Sequence, residues 1–413
     1  MRIILTLFTG ILLFATTVHA GGFQLNEHNA RAMAMGGAFT AIANDASALY
    51  FNTAGITQQT GLRLMLGTAL IRPQVTFRGP SPSINENKPK DAISFPSHLH
   101  ATLQLSDHFW VGLSVNNPFG SGTEWDKNWV GRFVNTETKL RTYSFNPSIA
   151  YKFDDELSIG FGFYYNLATV VIEKARNLAP FNAEALIRLE GDETSAFGWN
   201  IGVLGQPLKD FTVGIVYKSK INYEFSGTAK STAPAAFSAL LPNGNVKAKL
   251  TTPDQLIFGL GYKITPDWIV AGDAQFVFWK TYDKLAADFE DPKIPDLNTP
   301  RMYEDTYILR LGTEYQFSKA LRVGIGFMYD NSPIPDEHLD TSIPDSDRFG
   351  YSVGAGLTFF KGVELYVSYR YLTFRERTVT TSEIDYSGIG FAPYNGTYNT
   401  NADLLSASLS FSF

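Results

Sequence analysis

Histidines and carboxylates are the side chains here with the widest chemical reach, and their spacing decides how much of it they can use. The chain has six histidines. A hydrolase would need one of them as the base of a nucleophile, oriented by an acid. His28, His108 and His338 stand alone, and His19 lies in an N-terminal leader. His98 and His100 share one strand face at period two and could chelate a metal, but no third ligand is evident. Asp336, Glu337, Asp340, Asp345 and Asp347 could attract calcium, yet they lack EF-hand spacing, and a solvated loop edge is the expectation. Cysteine is absent, which excludes thiol chemistry, zinc fingers and disulfides. No catalytic residue, metal or cofactor is expected, and the protein is read as a non-enzyme.

What the chain does hold is strand. Its last ten residues, LLSASLSFSF, place Leu405, Ala407, Leu409, Phe411 and Phe413 on one face and serines on the other, the alternation of a β-strand. Fourteen such runs follow Gly61. In one, Phe211, Val213, Ile215 and Tyr217 oppose Thr212, Gly214 and Lys218; in another, Leu321, Val323, Ile325, Phe327 and Tyr329 oppose Arg322, Gly324 and Gly326. Connections between runs alternate short and long without exception. That is the pattern of an antiparallel transmembrane β-barrel with short turns at one rim and long loops at the other. A soluble β-sandwich does not require it.

The leader MRIILTLFTGILLFATTVHA (1–20) has one cation, an apolar run from Ile3 to Ala15, and small residues at Val18 and Ala20, as a secretory signal does. Arg2 is its only charge, so removal takes the formal net charge from −6 to −7 and no nucleic acid partner is implied. Residues 21–60 are rich in Ala, Gly and Met. The lumen-facing register carries Gly160, Gly162, Gly202, Gly259, Gly261, Gly312, Gly324, Gly326, Gly354 and Gly356, and glycine weakens strands unless another backbone comes close. These observations predict a 14-stranded all-β membrane protein, residues 61–413, whose lumen is filled by a helical hatch, residues 21–60. Lumen-facing Val277, Trp279, Tyr366, Leu372 and Phe374 are too apolar for a channel that passes ions or sugars, and they suit a greasy ligand.

The chain resembles the FadL/TodX family of outer-membrane transporters of fatty acids and hydrocarbons. The likeness is carried by GGFQLNE, DASALYFNTAGI, NNPFG, GWNIGVL, VYKSKINYEFSG, DTYILRLGTEYQF, YDNSPIPDEHLDTSIPDSDRFG and the terminal strand, in order along the mature chain. It implies a plugged fourteen-stranded barrel in the outer membrane of a Gram-negative bacterium. The implied route is capture in a groove between external loops, transfer to a lumen site, and lateral exit at an inward kink of the third strand. Asn117, Pro118, Phe119 and Gly120 fit that kink, since Pro removes a ladder donor and Gly permits the bend. The family's hatch motif Asn-Pro-Ala reads Asn52, Thr53, Ala54 here, without the proline. Phe23 matches the family's hatch phenylalanine beside the ligand. Lys174 falls where fatty-acid members place a carboxylate-binding arginine, and Arg301 lies within two residues of their second cation. Trp279 and Phe374 are expected to line the ligand.

The segments NLAPFNAEALIRLEGD and STAPAAFSALLPNG supply the groove. Phe181, Leu186 and Leu189 are expected as a helical stripe beside Phe237, Leu240 and Leu241. Expected partners are a long-chain fatty acid or a hydrocarbon, membrane lipids with lipopolysaccharide, and the barrel-assembly machinery, which the resemblance implies reads the terminal Phe413; the protein is expected to work as a monomer. Hydrocarbon uptake is the alternative within the family. A hydrolase or an adhesin is the alternative outside it.

Overall fold

Backbone polar groups in hydrocarbon must be satisfied internally, so strands cross a membrane only as a closed barrel. The computed structural model describes residues 22–387 and 392–413 and shows such closure; the expected leader lies outside the described residues. We number the staves in chain order: β1 Leu62–Arg78, β2 Ser97–Gln104, β3 in two arms (Phe109–Asn116 and Gly120–Glu124), β4 Glu137–Lys152, β5 Leu157–Asn177 and β6 Glu184–Leu208. β7 has arms Phe211–Lys218 and Ile221–Thr232, and β8 has arms Gly244–Thr252 and Gln255–Thr265. Then come β9 Trp268–Val277, β10 Thr306–Gln316, β11 Leu321–Asp330, β12 Arg348–Phe360, β13 Val363–Phe374 and β14 Gly396–Ser412. Each pairs antiparallel with its neighbours. β14 closes on β1 in unbroken register from Arg63↔Ser412 to Arg78↔Thr397. The fourteen strands and the short–long alternation agree with the sequence reading.

Alternation sets the two faces. On β5 and β6 the rings of Phe161, Phe163, Tyr165, Phe197 and Trp199 are exposed outward, with Phe163 and Phe197 5.6 Å apart across the ladder. Asn146, Asn166 and Asn200 point inward and are buried. In the last strand Leu405 and Phe413 are exposed while Ser406 and Ser408 are buried. One expectation fails. The chain between β5 and β6 forms no helix, because both strands run on, 21 and 25 residues long, until Asn177 pairs with Glu184. Ala185, Ile187 and Leu189 face inward at period two, so Leu186 stands on the opposite face from Leu189.

Residues 22–60 fill the lumen. Helix α1, Ala30–Ala34, is capped by the Asn29 side chain, which accepts from the Arg31 amide; all five of its residues are buried. Helix α2, Ala48–Phe51, runs into a 3-10 turn, Thr53–Gln58, capped by Asn52. Two lumen glycines show why the register needs them. A Cβ on Gly326 would strike the Gly36 backbone, and one on Gly202 would strike the Asn52 side chain. Charge then locks hatch to wall. Arg31 makes a two-pronged pair with Glu314 (2.9 and 2.8 Å), and Arg370 reaches Glu27 (3.1 Å) and the Met33 carbonyl (3.0 Å). Asp273 accepts from the Phe39 and Thr40 amides, each at 3.0 Å. The histidine pair is packing of the same kind: His98 and His100 stack at 5.3 Å, and His100 bridges Ser114 and the His28 carbonyl.

A lumen packed this way leaves no open water column. In planar bilayers the intact protein should show little steady ion conductance, and deletion of 21–60 should raise it by roughly an order of magnitude. Large, stable conductance from the intact chain would reject the plug.

Candidate functional site

The third strand is where the ladder fails. β3 pairs with β4 through Asn116↔Ser144, then resumes only at Gly120↔Arg141. Between them Pro118 has no amide to donate. The stranded groups find other partners. Asn117 accepts from the Ser97 amide (2.9 Å) and donates to the Thr142 carbonyl (2.7 Å). The Phe119 amide donates to the Thr142 hydroxyl (3.0 Å). The Leu25 amide donates to the Pro118 carbonyl, and the Gly120 amide to the Phe23 carbonyl, each at 3.0 Å. The first residues of the hatch thus act as a short strand paired with the kink.

That pairing fixes the Phe23 side chain, which is buried among rings: Trp279 at 4.8 Å, Phe119 at 5.9 Å and Tyr282 at 5.9 Å, all edge-on. Phe23 floors a cavity of about 610 Å³ at the long-loop end of the lumen, walled by Leu140, Ile172, Phe225 and Leu250. Lys174 and Arg301 both face it. Arg301 donates to Asp340 at 2.6 Å, and both are buried. Burial alone would raise the Asp340 carboxyl. The Arg301 charge and the hydrogen bonds from Ser342 outweigh it and hold the group below the usual carboxylate range. Lys174 is half-buried and makes no ion pair or hydrogen bond among the described residues. The site is an apolar chamber in which Arg301 and Lys249 are paired, while Lys174 and Arg176 have no ion-pair partner among the described residues.

The expected residues sort themselves by place. Phe23, Lys174 and Arg301 meet at the chamber, and Leu189 joins its wall. Trp279 is fully buried behind Phe23 and over Gly22. Phe374 lies elsewhere, under Arg348 (5.6 Å) in a separate crevice of about 160 Å³ that the upper arm of β3 also lines. In the outer groove Phe181 and Phe237 pack their rings at 5.1 Å, Leu240 is exposed, and Leu241 is buried against Ala185 and Ile187. Asn52 and Ala54 do not bond to the kink. Asn52 donates to the Thr40 and Val203 carbonyls, and Ala54 accepts from Ser158; both sit beneath β5 and β6. Thr53, in the place of the family's proline, donates to Asn200 at 2.6 Å.

The acidic loop also differs from expectation. It is no solvated edge: Asp340, Asp345 and Asp347 are buried, and Asp336 pairs with Arg377 at 2.6 Å. Among the described residues no group of three ligands could hold a metal. Sequence reasoning missed Tyr282, which lines the chamber, and Tyr303, whose ring meets it edge-on at 5.0 Å; both lie in a connection with no periodicity to mark them.

A family model described as outer membrane protein transport protein (OMPP1/FadL/TodX) matches residues 11–413. The long-chain fatty acid transport protein of Escherichia coli K12 is 27% identical over 414 residues, covering 89% of this chain and 92% of that one. A 47 kDa outer membrane protein of Pasteurella multocida is 26% identical, covering 90% and 92%. Among solved structures, a Pseudomonas aeruginosa FadL homologue superposes with a TM-score of 0.86 at 20% identity, covering 95% and 100%. The Pseudomonas putida toluene transporter TodX gives 0.72 at 17%, covering 95% and 99%.

Asp340→Asn should leave Arg301 buried and unpaired, a loss of about 3–5 kcal/mol in the loop layer. Proteolysis within 331–347 should quicken while the barrel stays heat-modifiable. In the wild type, a carboxyl held below its ordinary pKa of about 3.9 stabilises fully above that value. Protection should therefore be lost only as pH falls through the lower, folded-state pKa.

Proposed function

We propose, for a chain that belongs to the outer membrane protein transport protein family (OMPP1/FadL/TodX), passive uptake of long-chain fatty acids across the outer membrane. The observation that carries it is the chamber, apolar over most of its wall and fitted with Lys174, which has no ion pair or hydrogen bond among the described residues. An acyl chain gains about 0.8 kcal/mol per buried CH₂, whereas an exposed ion pair contributes roughly 0–1 kcal/mol. The wall therefore sets affinity, and Lys174 orients the head group. Relatives described as long-chain fatty acid transport proteins support this substrate class.

Capture begins, on this reading, at the exposed Phe181–Phe237 pair and Leu240, above the chamber. Exit is sideways, where the upper arm of β3 pairs with β4 and meets the preceding chain through the Lys90 amide on the Glu124 carbonyl. Phe23 to Leu25 must release the kink for a ligand to pass. The family's membership of transport proteins argues against a hydrolase. Hydrocarbon uptake is favoured by one observation: Arg301 is already neutralised by Asp340 and is not free for a carboxylate, while the apolar wall suits a neutral ligand equally. The solved toluene transporters share the fold. Membrane lipids, lipopolysaccharide and the barrel-assembly machinery are proposed as the surroundings in which the protein works.

Lys174→Ala should assemble normally and bind a fatty acid more weakly, by about two- to fivefold for a pair worth under 1 kcal/mol, with its methyl ester unaffected. Equal loss for both ligands would replace the fatty-acid reading with the hydrocarbon one.

Gly120→Val tests the exit. A Cβ there would stand 3.1 Å from a Leu25 methyl, and a branched side chain adds bulk where the hatch strand docks. Uptake should fall severalfold while the folded barrel still accumulates. A correctly folded variant with unchanged uptake would remove the gate.

A further inference from the structure

Below the Phe23 floor lies a second hollow, about 30 Å³, that the uptake reading leaves without a role. Phe119 and Pro118 bound it on the side of the kink, and Gln24 covers it from the hatch. Its volume holds one or two waters, the size of a carboxylate head and too small for an acyl chain. Two wall residues facing it stand out. Asn166 of β5 is fully buried, yet neither its amide nitrogen nor its carbonyl oxygen has a partner. Lys218, at the end of the lower arm of β7, is buried with its ammonium 3.8 Å from the centre of the Tyr50 ring. It makes no ion pair among the described residues.

A buried ammonium without an ion pair, facing the same hollow as a buried amide without a bond, costs free energy that a small anion there would offset. No carboxylate is among the described residues lining this hollow. On its other side Lys218 faces a smaller hollow with Asp273, Arg310 and Arg370. There Asp273 Oδ2 is held by Phe39 and Thr40, its buried Oδ1 has no hydrogen-bond partner among the described residues, and the two arginines add like charge to that of Lys218. Both Lys218 and Asn166 offer N–H donors, and what they have room to receive is a small anionic group. We propose that Lys218 and Asn166 form a second carboxylate station, occupied by the head group after it leaves Lys174 and passes Phe23 and Phe119 on the way to the gap in β3. The proposal rests on the reading of the substrate as a fatty acid, but it concerns the rate of passage and not the affinity of capture.

The competing role is a pin that holds Tyr50 of the hatch to the wall by its cation–π contact. Lys218→Met keeps the length of the side chain and removes the charge; Lys218→Arg keeps the charge. In proteoliposomes, Lys218→Met should slow uptake of a long-chain fatty acid about fivefold, leave its methyl ester within twofold, and leave equilibrium binding of both unchanged. Lys218→Arg should restore the acid. Equal slowing of acid and ester would make Lys218 a pin only, and no slowing of either would make the hollow a water site; each result overturns the station. Equilibrium binding by Lys174→Ala reports on the upper chamber separately. If that variant fails to distinguish acid from ester while Lys218→Met slows the acid alone, the upper-site reading fails and the station stands.

Discussion

The structure depends on one constraint: a backbone crossing hydrocarbon must leave no amide or carbonyl without a partner. Most of the staves meet it by pairing with neighbours along the wall, and at the break in β7 the Lys220 amide donates to the Asp254 carboxylate. The third cannot, because Pro118 and the residues around it leave the ladder. Its carbonyl and amide groups are completed from inside the lumen by Phe23 and Leu25. A break in the wall is therefore tied to the hatch, and the hatch residue so tied, Phe23, is the floor of the apolar chamber. Opening the wall, moving the floor and losing two backbone bonds are one event.

The remainder of the hatch is fixed by stronger means. Arg31 with Glu314, Arg370 with Glu27, and Asp273 with two amides join charge to charge or charge to backbone where water is scarce. Breaking any one would strand a buried charge, at a cost of several kcal/mol. The bonds at Leu25 and Gly120 are neutral, each contributing about 1 kcal/mol. Motion should concentrate in the segment from Gly22 to Asn26, with α1 and the 3-10 turn stationary. The Gly22 amide on Asp345 (3.1 Å) then links that segment to the external acidic loop.

The barrel was legible in the sequence because its information is local and periodic. Alternation in Phe211–Tyr217 or Leu321–Tyr329 states which face is wet, and turn lengths state which rim is which. The hatch was legible through inward glycines that only a close backbone explains. Longer-range facts were not. Nothing near Asp340 in sequence says that Arg301, thirty-nine positions earlier, neutralises it, so a buried pair read as a solvated loop edge. The segment at Leu186 and Leu189 read as helical because its apolar spacing fits three residues as well as two. Pairing of Ala175 with Leu186 across an extended hairpin decided it. Phe374 shared the lumen register of a chamber residue, but register fixes the side of the wall and not the height at which a cavity opens.

Charge balance inside the lumen says more about direction than any single site. In the upper chamber Asp340 cancels Arg301, which leaves Lys174 and the exposed Arg176 to hold a carboxylate, and weakly, beside the open loop mouth. Weak holding suits a conduit: affinity that rises with chain burial must be matched by a head group that lets go. The positive potential does not end at the floor. Lys218, Arg310 and Arg370 continue beneath it, opposed by Glu27 on Arg370 and by Asp273, whose Oδ2 is shared among hatch donors. On the proposed route an anion leaving Lys174 would move toward positive charge and not away from it, while the apolar kink of β3 would offer its chain a route to lipid. Head and tail would then be drawn to the same stretch of wall by different forces, which is what the proposed lateral exit of an amphiphile requires.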